Sequence, residues 1–177
     1  MLFTDRSLWT IVHGVVLGGA ALMALAAALF AVGVMRVADR SDVATDNQSR
    51  SLARLMGFIA VVLWVTVFVG TYVIFPPYRA TPPDGVSDLS QYPRSLLLAN
   101  PDTAWLHAFA MESKEHMPWI AAMLATAVAF VSVRYRSTLL RDAQLRNMAM
   151  VLLAVCFALV SFVGLMGIFV DKVAPLQ

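Results

Sequence analysis

The sequence is poor in charge, because only 14% of its 177 residues are Asp, Glu, Lys or Arg, against about 25% in an average soluble domain. Hydrophobic residues make up 60% of the chain, and the mean hydropathy is +0.75. A chain of this length accommodates one compact domain, so we expect residues 1–177 to form a single unit without a separate soluble catalytic domain. The composition indicates an integral membrane protein.

Several functional classes have no starting point in this sequence. Its single cysteine, Cys156, excludes an internal disulfide framework and any zinc or iron–sulfur site built from clustered cysteines. The nucleotide-binding, zincin and c-type haem strings, G-x-x-x-x-G-K-[ST], G-x-G-x-x-G, H-E-x-x-H and C-x-x-C-H, do not occur. No run rich in lysine or arginine indicates a nucleic-acid partner.

What the sequence does have is four long apolar stretches. They cover residues of about 8–35, 55–75, 117–133 and 148–170, and a helix that crosses the hydrocarbon core needs about 17–25 residues. Backbone polar groups in lipid must find partners within their own segment, so each stretch is predicted to be a helix. The first stretch is also longer than the core of a signal peptide, about 7–15 residues. The predicted fold class is all-α, an antiparallel four-helix bundle integral to a membrane.

Arginine is concentrated in the two short connections between these stretches. Residues 36–54 and 134–146 together carry eight of the thirteen basic residues. The positive-inside rule places these connections in the cytoplasm and both termini outside it. The expected location is a bacterial inner membrane.

The long connection, residues 76–116, is then extracytoplasmic. Six of the eight prolines lie between Pro76 and Pro101, which predicts extended or turn backbone there and excludes helix. Apolar side chains such as Tyr78, Tyr92 and Leu97 indicate an ordered cap rather than a solvated linker. A short interfacial helix, capped by Asp102 or Thr103, is predicted to follow and to end at about His116. Pro118 then starts or kinks the third spanning helix.

Small residues at helical spacing predict which helices pack tightly. The first stretch has Gly14 and Gly18, the third has alanines at 121, 125 and 129, and the fourth has small residues at 154, 158 and 161. The second stretch lacks such a pattern. We therefore expect the second helix to face lipid or a partner.

All three histidines fall at the extracytoplasmic end, and His13 is the one ionisable residue inside a predicted span. Such residues are costly in lipid and commonly mark function. One hypothesis is a haem b near the outer face, held by His13 with His116, or with His107 as the substitute. A second is a metal ion bound by His13, His107, His116, Glu112 and Glu115 or a subset of them. The third hypothesis is that His13 only hydrogen-bonds a neighbouring helix.

In architecture the chain is similar to small membrane subunits of respiratory or photosynthetic electron-transfer complexes. That resemblance implies other membrane subunits and the lipid bilayer as partners, with a quinone or a periplasmic cytochrome as an electron-transfer partner. No complete catalytic constellation occurs, so independent enzymatic activity is not expected. The alternatives are a structural or assembly subunit without cofactor, and a membrane protein with a His/Glu metal site.

Overall fold

The computed structural model describes residues 4–34 and 43–175, and over these residues the chain is helical with no strand. Four of its helices are long and apolar enough to cross a membrane. The first, α1, is Asp5–Gly33, and the second, α2, begins at Val43 and ends at Tyr78. The third, α4, is Pro101–Arg134, and the fourth, α6, is Ala143–Val173. Two short helices, α3 (Pro93–Ala99) and α5 (Arg136–Arg141), lie in the connections.

Three of the spanning helices contain a π-helical segment, a wider turn that inserts an extra residue. The segments are Val12–Leu17 in α1, Gly70–Ile74 in α2 and Leu106–Met111 in α4. Such segments are rare and occur frequently at functional sites. Each lies in the half of its helix nearest the connection of residues 79–100. We call that end of the molecule the loop end, and the opposite end the arginine end.

The helices are longer than the hydropathy pattern predicts. Helix α2 begins at Val43 rather than near residue 55, because its first turns are polar and extend beyond the apolar stretch. Helix α4 is continuous from Pro101, so the predicted interfacial helix and the third spanning helix are one element, with Pro118 inside it. Its N-cap is Asn100, whose side chain accepts from the Asp102 N–H, and not Asp102 or Thr103. Of the predicted cytoplasmic arginines, Arg36 and Arg40 lie outside the described residues.

The proline-rich connection is partly helical, so the prediction that it excludes helix is wrong. Its prolines occupy first turns, where the missing N–H is not needed: Pro93 opens α3 and Pro101 opens α4. At the Ser90 turn, hydrogen bonds from the Ser90 backbone N–H and side chain hold the pKa of Asp88 below its usual value. A separate hydrophobic cluster anchors this cap to the spanning helices; it contains Tyr78, Leu97, Leu106, Ala110, Met111, Val170 and Ala174.

The main hydrophobic core joins the four spanning helices, each of which packs against two neighbours: α1 and α4 both contact α2 and α6. Helix α2 contributes large side chains to this core, including Met56, Ile59 and Leu63. Helix α4 contributes mainly small ones, such as Ala122 and Ala125. Large side chains on one helix can therefore lie against a surface of small ones on the next.

The expectation that helix α2 faces outward is wrong. In the most apolar 18-residue window, 28% of residues are buried in α2 but only 11% in α6. On α6 the predicted packing residues Ala154 and Ala158 are exposed, and the buried positions are instead Leu153 and Cys156. Helix α6 is thus the most exposed of the four.

Candidate functional site

His13 lies in the π-helical segment of α1 and packs against the backbone of α2. A Cβ placed on Gly70 would be 2.9 Å from Cε1 of the imidazole and 3.3 Å from its Nε2. The ring is also within hydrogen-bonding range of the Thr66 backbone. Its Nδ1 is buried, and within the described residues it has no hydrogen-bond partner. Buried polar nitrogens are rarely left unpaired in folded proteins, which makes this imidazole unusual.

Lys114 makes an equivalent approach from α4 to α6. A Cβ on Gly167 would be 3.3 Å from its Nζ and 3.7 Å from its Cε. The amine interacts electrostatically with Asp171 of α6 and with His13 of α1. Two glycines on two helices thus admit two basic side chains into the loop-end half of the protein.

Sequence reasoning did not identify Lys114 as a candidate functional residue. The signals that could have found it are modest. Lysine occurs only twice in the chain, and Lys114 lies four residues before Pro118. Because proline removes the hydrogen bond to the carbonyl four residues earlier, the backbone carbonyl of Lys114 lacks its usual helical partner.

His107 lies in the third π-helical segment and is paired with the end of α2. Its Nδ1 is 2.9 Å from the hydroxyl oxygen of Tyr78, and the two ring centroids are 6.0 Å apart. Tyr78 is only 3% exposed, so this hydrogen bond sits inside the cap cluster. Arg94 of α3 acts electrostatically on both groups, and its Nε is buried without a hydrogen-bond partner among the described residues.

His116 is in a different environment. It is exposed on α4, and its Nδ1 is 2.8 Å from the backbone carbonyl oxygen of Glu112, one turn earlier. Glu112 is exposed as well, whereas Glu115 is partly buried. The hydrogen bonds of His107 and His116 both engage Nδ1 and leave Nε2 outside them.

The predicted ligands therefore occupy three separate environments rather than one. His13 is packed on Gly70, His107 is bonded to Tyr78, and His116 lies on the surface. Over residues 4–34 and 43–175, no three side chains of His, Cys, Asp or Glu come together as a group able to hold a metal ion. A small cavity of about 90 Å³ lies between the start of α1 and the end of α2. That is well below the about 300 Å³ at which small-molecule pockets begin.

Comparison with known protein families, with curated proteins and with solved structures finds no match to this chain.

Proposed function

We propose that the protein is an integral membrane subunit of a larger respiratory or photosynthetic electron-transfer complex. In this proposal the four spanning helices insert as an antiparallel bundle in a bacterial inner membrane. The arginine end lies in the cytoplasm, and the loop end and both termini lie outside it. The arginines of α5 and of its flanks, among them Arg134, Arg141 and Arg146, support that orientation.

The observation that carries the proposal is the placement of two basic side chains between helices, His13 against Gly70 with its Nδ1 buried and unpaired, and Lys114 against Gly167. A protein that served only as a spacer in lipid would have no need of two basic groups between its helices, because each is costly there unless compensated. Both groups lie at the loop end, where an extracytoplasmic electron donor or acceptor would approach.

A haem b remains the cofactor proposed for this end, with His13 as one ligand and His116 or His107 as the other. The structure holds these histidines in separate environments, so such a pair forms only if α1 and α4 rearrange when the haem binds. Support comes from the hydrogen bonds of His107 and His116. Each has its Nδ1 engaged by an oxygen, of Tyr78 and of the Glu112 backbone respectively, which leaves Nε2 for a metal. The cavity between the start of α1 and the end of α2, of about 90 Å³, is too small for a haem, so in this proposal the haem lies against lipid or a second subunit.

A structural or assembly subunit without cofactor is the second candidate, and the cap favours it. Leu97 is fully buried in the cap cluster, while Leu98 next to it is 46% exposed and Val86 is 40% exposed. An ordered loop that presents apolar side chains suits the docking of another subunit. A His/Glu metal site has less support, since the named side chains do not converge.

The deciding experiment is a reduced-minus-oxidised absorption spectrum of the chain purified in mild detergent with its native partners, with a pyridine haemochrome assay on the same sample. We expect a b-type α-band at about one haem per chain. The His13→Ala variant should lose the band and keep its helical circular dichroism, whereas Cys156→Ala should keep both. A flat spectrum from a sample that retains its partner subunits would overturn the haem proposal.

The same purification tests the assembly alternative. Shortening the exposed part of the cap, residues 83–88, should release the partner subunits if the cap is the docking element. Co-purification of electron-transfer subunits with the wild-type chain supports the membership proposed here. If no electron-transfer subunit co-purifies with the wild-type chain from native membranes in any detergent tested, the proposed membership is refuted.

A further inference from the structure

The short helix α5 lies at the arginine end, between the end of α4 at Arg134 and the start of α6 at Ala143. It packs against α2, α4 and α6. Its two leucines, Leu139 and Leu140, are 2% and 5% exposed and belong to the main hydrophobic core. Helix α5 is therefore held with its leucines inward, at the level where two spanning helices end.

The remaining side chains of α5 are polar and exposed. Ser137, Thr138 and Arg141 are exposed, and Ser137 and Arg141 are four residues apart and share one face of the helix. Arg134 and Arg136 are exposed beside the start of α5. Guanidinium groups and hydroxyls can all donate hydrogen bonds. We call these five residues the α5 surface.

Positive charge is concentrated in this connection rather than spread over the arginine end. Residues 134–146 contain four arginines and one acidic residue, Asp142, whereas residues 36–54 contain four arginines and three aspartates. The Oδ1 atom of Asp142 accepts hydrogen bonds from the backbone N–H groups of Gln144, at 2.8 Å, and Leu145, at 3.2 Å. The carboxylate therefore caps α6, and the α5 surface keeps an excess of positive charge.

The neighbouring aromatic residues indicate where this surface lies relative to the membrane. The guanidinium carbon of Arg134 is 5.5 Å from the ring centroid of Tyr135, which is 45% exposed. Phe130, five residues earlier, is 62% exposed, and its ring meets that of Tyr135 edge-on. An exposed phenylalanine followed by tyrosine and arginine is typical of a helix that passes from hydrocarbon into the head-group layer. In the proposed inserted bundle, the α5 surface lies among the lipid head groups.

We propose that the α5 surface binds the phosphate of an anionic phospholipid, with the guanidinium groups of Arg136 and Arg141 donating hydrogen bonds to its oxygens. Guanidinium groups match the geometry of phosphate and are always charged. A zwitterionic head group also carries a cation, which a surface with excess positive charge disfavours. This inference rests on the proposed membrane insertion and is independent of the proposed membership in an electron-transfer complex.

Binding is tested by native mass spectrometry of the full chain in mild detergent, titrated with phosphatidylglycerol or with phosphatidylcholine of the same acyl chains. Phosphatidylglycerol is expected to bind with the lower apparent Kd. Arg136→Gln and Arg141→Gln should each raise that Kd about fivefold, the usual effect of one basic residue near an anionic membrane surface. Neither substitution should change the Kd for phosphatidylcholine.

Matched controls separate the α5 surface from general attraction between a basic protein and an anionic lipid. Arg6 and Arg79 are exposed at the loop end. Arg6→Gln and Arg79→Gln remove the same charge there and should leave the Kd for phosphatidylglycerol unchanged. Glutamine keeps the helix propensity of arginine, and unchanged circular dichroism checks the fold of all four variants.

Two results would overturn the proposal: equal Kd values of the wild-type chain for the two lipids, or equal losses of phosphatidylglycerol binding in the variants of both ends. Displacement of phosphatidylglycerol by an equal concentration of inorganic phosphate would replace the lipid with a free anion. A partner subunit lost only from the two α5 variants, with lipid binding unchanged, would assign the surface to a protein.

Failure of this proposal is distinguishable from failure of membrane insertion. Extraction of native membranes with alkaline carbonate releases peripheral proteins and retains integral ones. A chain that is retained but shows no lipid preference refutes the lipid site and leaves the insertion standing. A chain that is released refutes both.

Discussion

His13 and Gly70 are in contact across the first two spanning helices, and their contact requires the absence of a side chain at position 70. A Cβ there would lie 2.9 Å from Cε1 of the imidazole, closer than side-chain carbons approach other atoms. Both residues belong to π-helical segments, Val12–Leu17 and Gly70–Ile74. The widened turns and the glycine together bring a polar ring against the backbone of a neighbouring helix.

Gly70→Ala should therefore destabilise the protein. The imidazole ring must shift, or α1 and α2 must separate, and overpacking of this kind costs about 1–3 kcal/mol. The measurement is the free energy of unfolding in detergent, followed by circular dichroism.

Gly57→Ala is the matched control for this substitution. Gly57 is on the same helix, and a Cβ there meets no atom within 4 Å. Alanine should be neutral or stabilising by about 0.5–1 kcal/mol, because glycine is the poorer helix former. Equal effects at positions 57 and 70 would show that the His13 contact does not constrain the fold.

The sequence predicted the four spanning helices because lipid leaves few alternatives. A stretch of about 20 apolar residues must satisfy its backbone hydrogen bonds internally, so hydropathy alone locates it. The π-helical segments were not predicted. They depend on how neighbouring helices pack, and no pattern within Val12–Leu17 or Leu106–Met111 distinguishes them from α-helix.

The candidate site was predicted in part for the same reason. His13 was identified because an ionisable residue within an apolar stretch can be recognised from the sequence alone. Lys114 was not, because it lies in a polar stretch of sequence and only the fold brings it to Gly167. A site formed by helices distant in sequence needs the tertiary arrangement before it can be recognised.

Because Lys114 lies against Gly167, the Gly167→Ala substitution is expected to change the reactivity of the Lys114 amine rather than the stability of the protein. The atoms nearest a Cβ on Gly167 are Nζ and Cε, the mobile end of a flexible side chain. Gly167→Ala should therefore change the free energy of unfolding by no more than about 0.5 kcal/mol. The displaced amine should become more reactive toward a membrane-permeant N-hydroxysuccinimide ester.

Mass spectrometry measures this reactivity, with Lys172 as the internal reference because the chain has only two lysines. Gly164→Ala is the control, since a Cβ there contacts nothing within 4 Å. The ratio of Lys114 to Lys172 modification should rise in the first variant and stay constant in the second. A constant ratio in both would contradict the placement of the amine.

Tyr78→Phe tests the hydrogen bond that joins the end of α2 to α4. Removal of the hydroxyl leaves Nδ1 of His107 without its partner at 2.9 Å, and the ring packing is retained. The expected loss of stability is about 1 kcal/mol. Tyr72→Phe on the same helix should have no measurable effect, because Tyr72 is 69% exposed. If both substitutions are silent in thermal unfolding, the Tyr78–His107 bond contributes nothing to the anchoring of the cap.

The misassignment of α2 has a physical reason that leads to a further test. The prediction assumed that each tightly packed helix has its own small residues. Two helices can also pack closely when only one of them presents small residues and the other presents large side chains. The alanines of α4 form a shallow surface, and large side chains of α2 such as Leu63 belong to the same core cluster. Close packing in lipid then comes from van der Waals contact of unlike surfaces.

Leu63→Ala should accordingly be among the most destabilising substitutions in the chain. Leu63 is only 3% exposed, and leucine-to-alanine changes in packed cores cost about 2–5 kcal/mol because a cavity remains. Leu165→Ala on α6 is the matched control, since Leu165 is 54% exposed and should cost less than about 0.5 kcal/mol. The free energy of unfolding in detergent discriminates the two. A larger loss at position 165 than at position 63 would restore α6 as a packing helix and α2 as the outward-facing one.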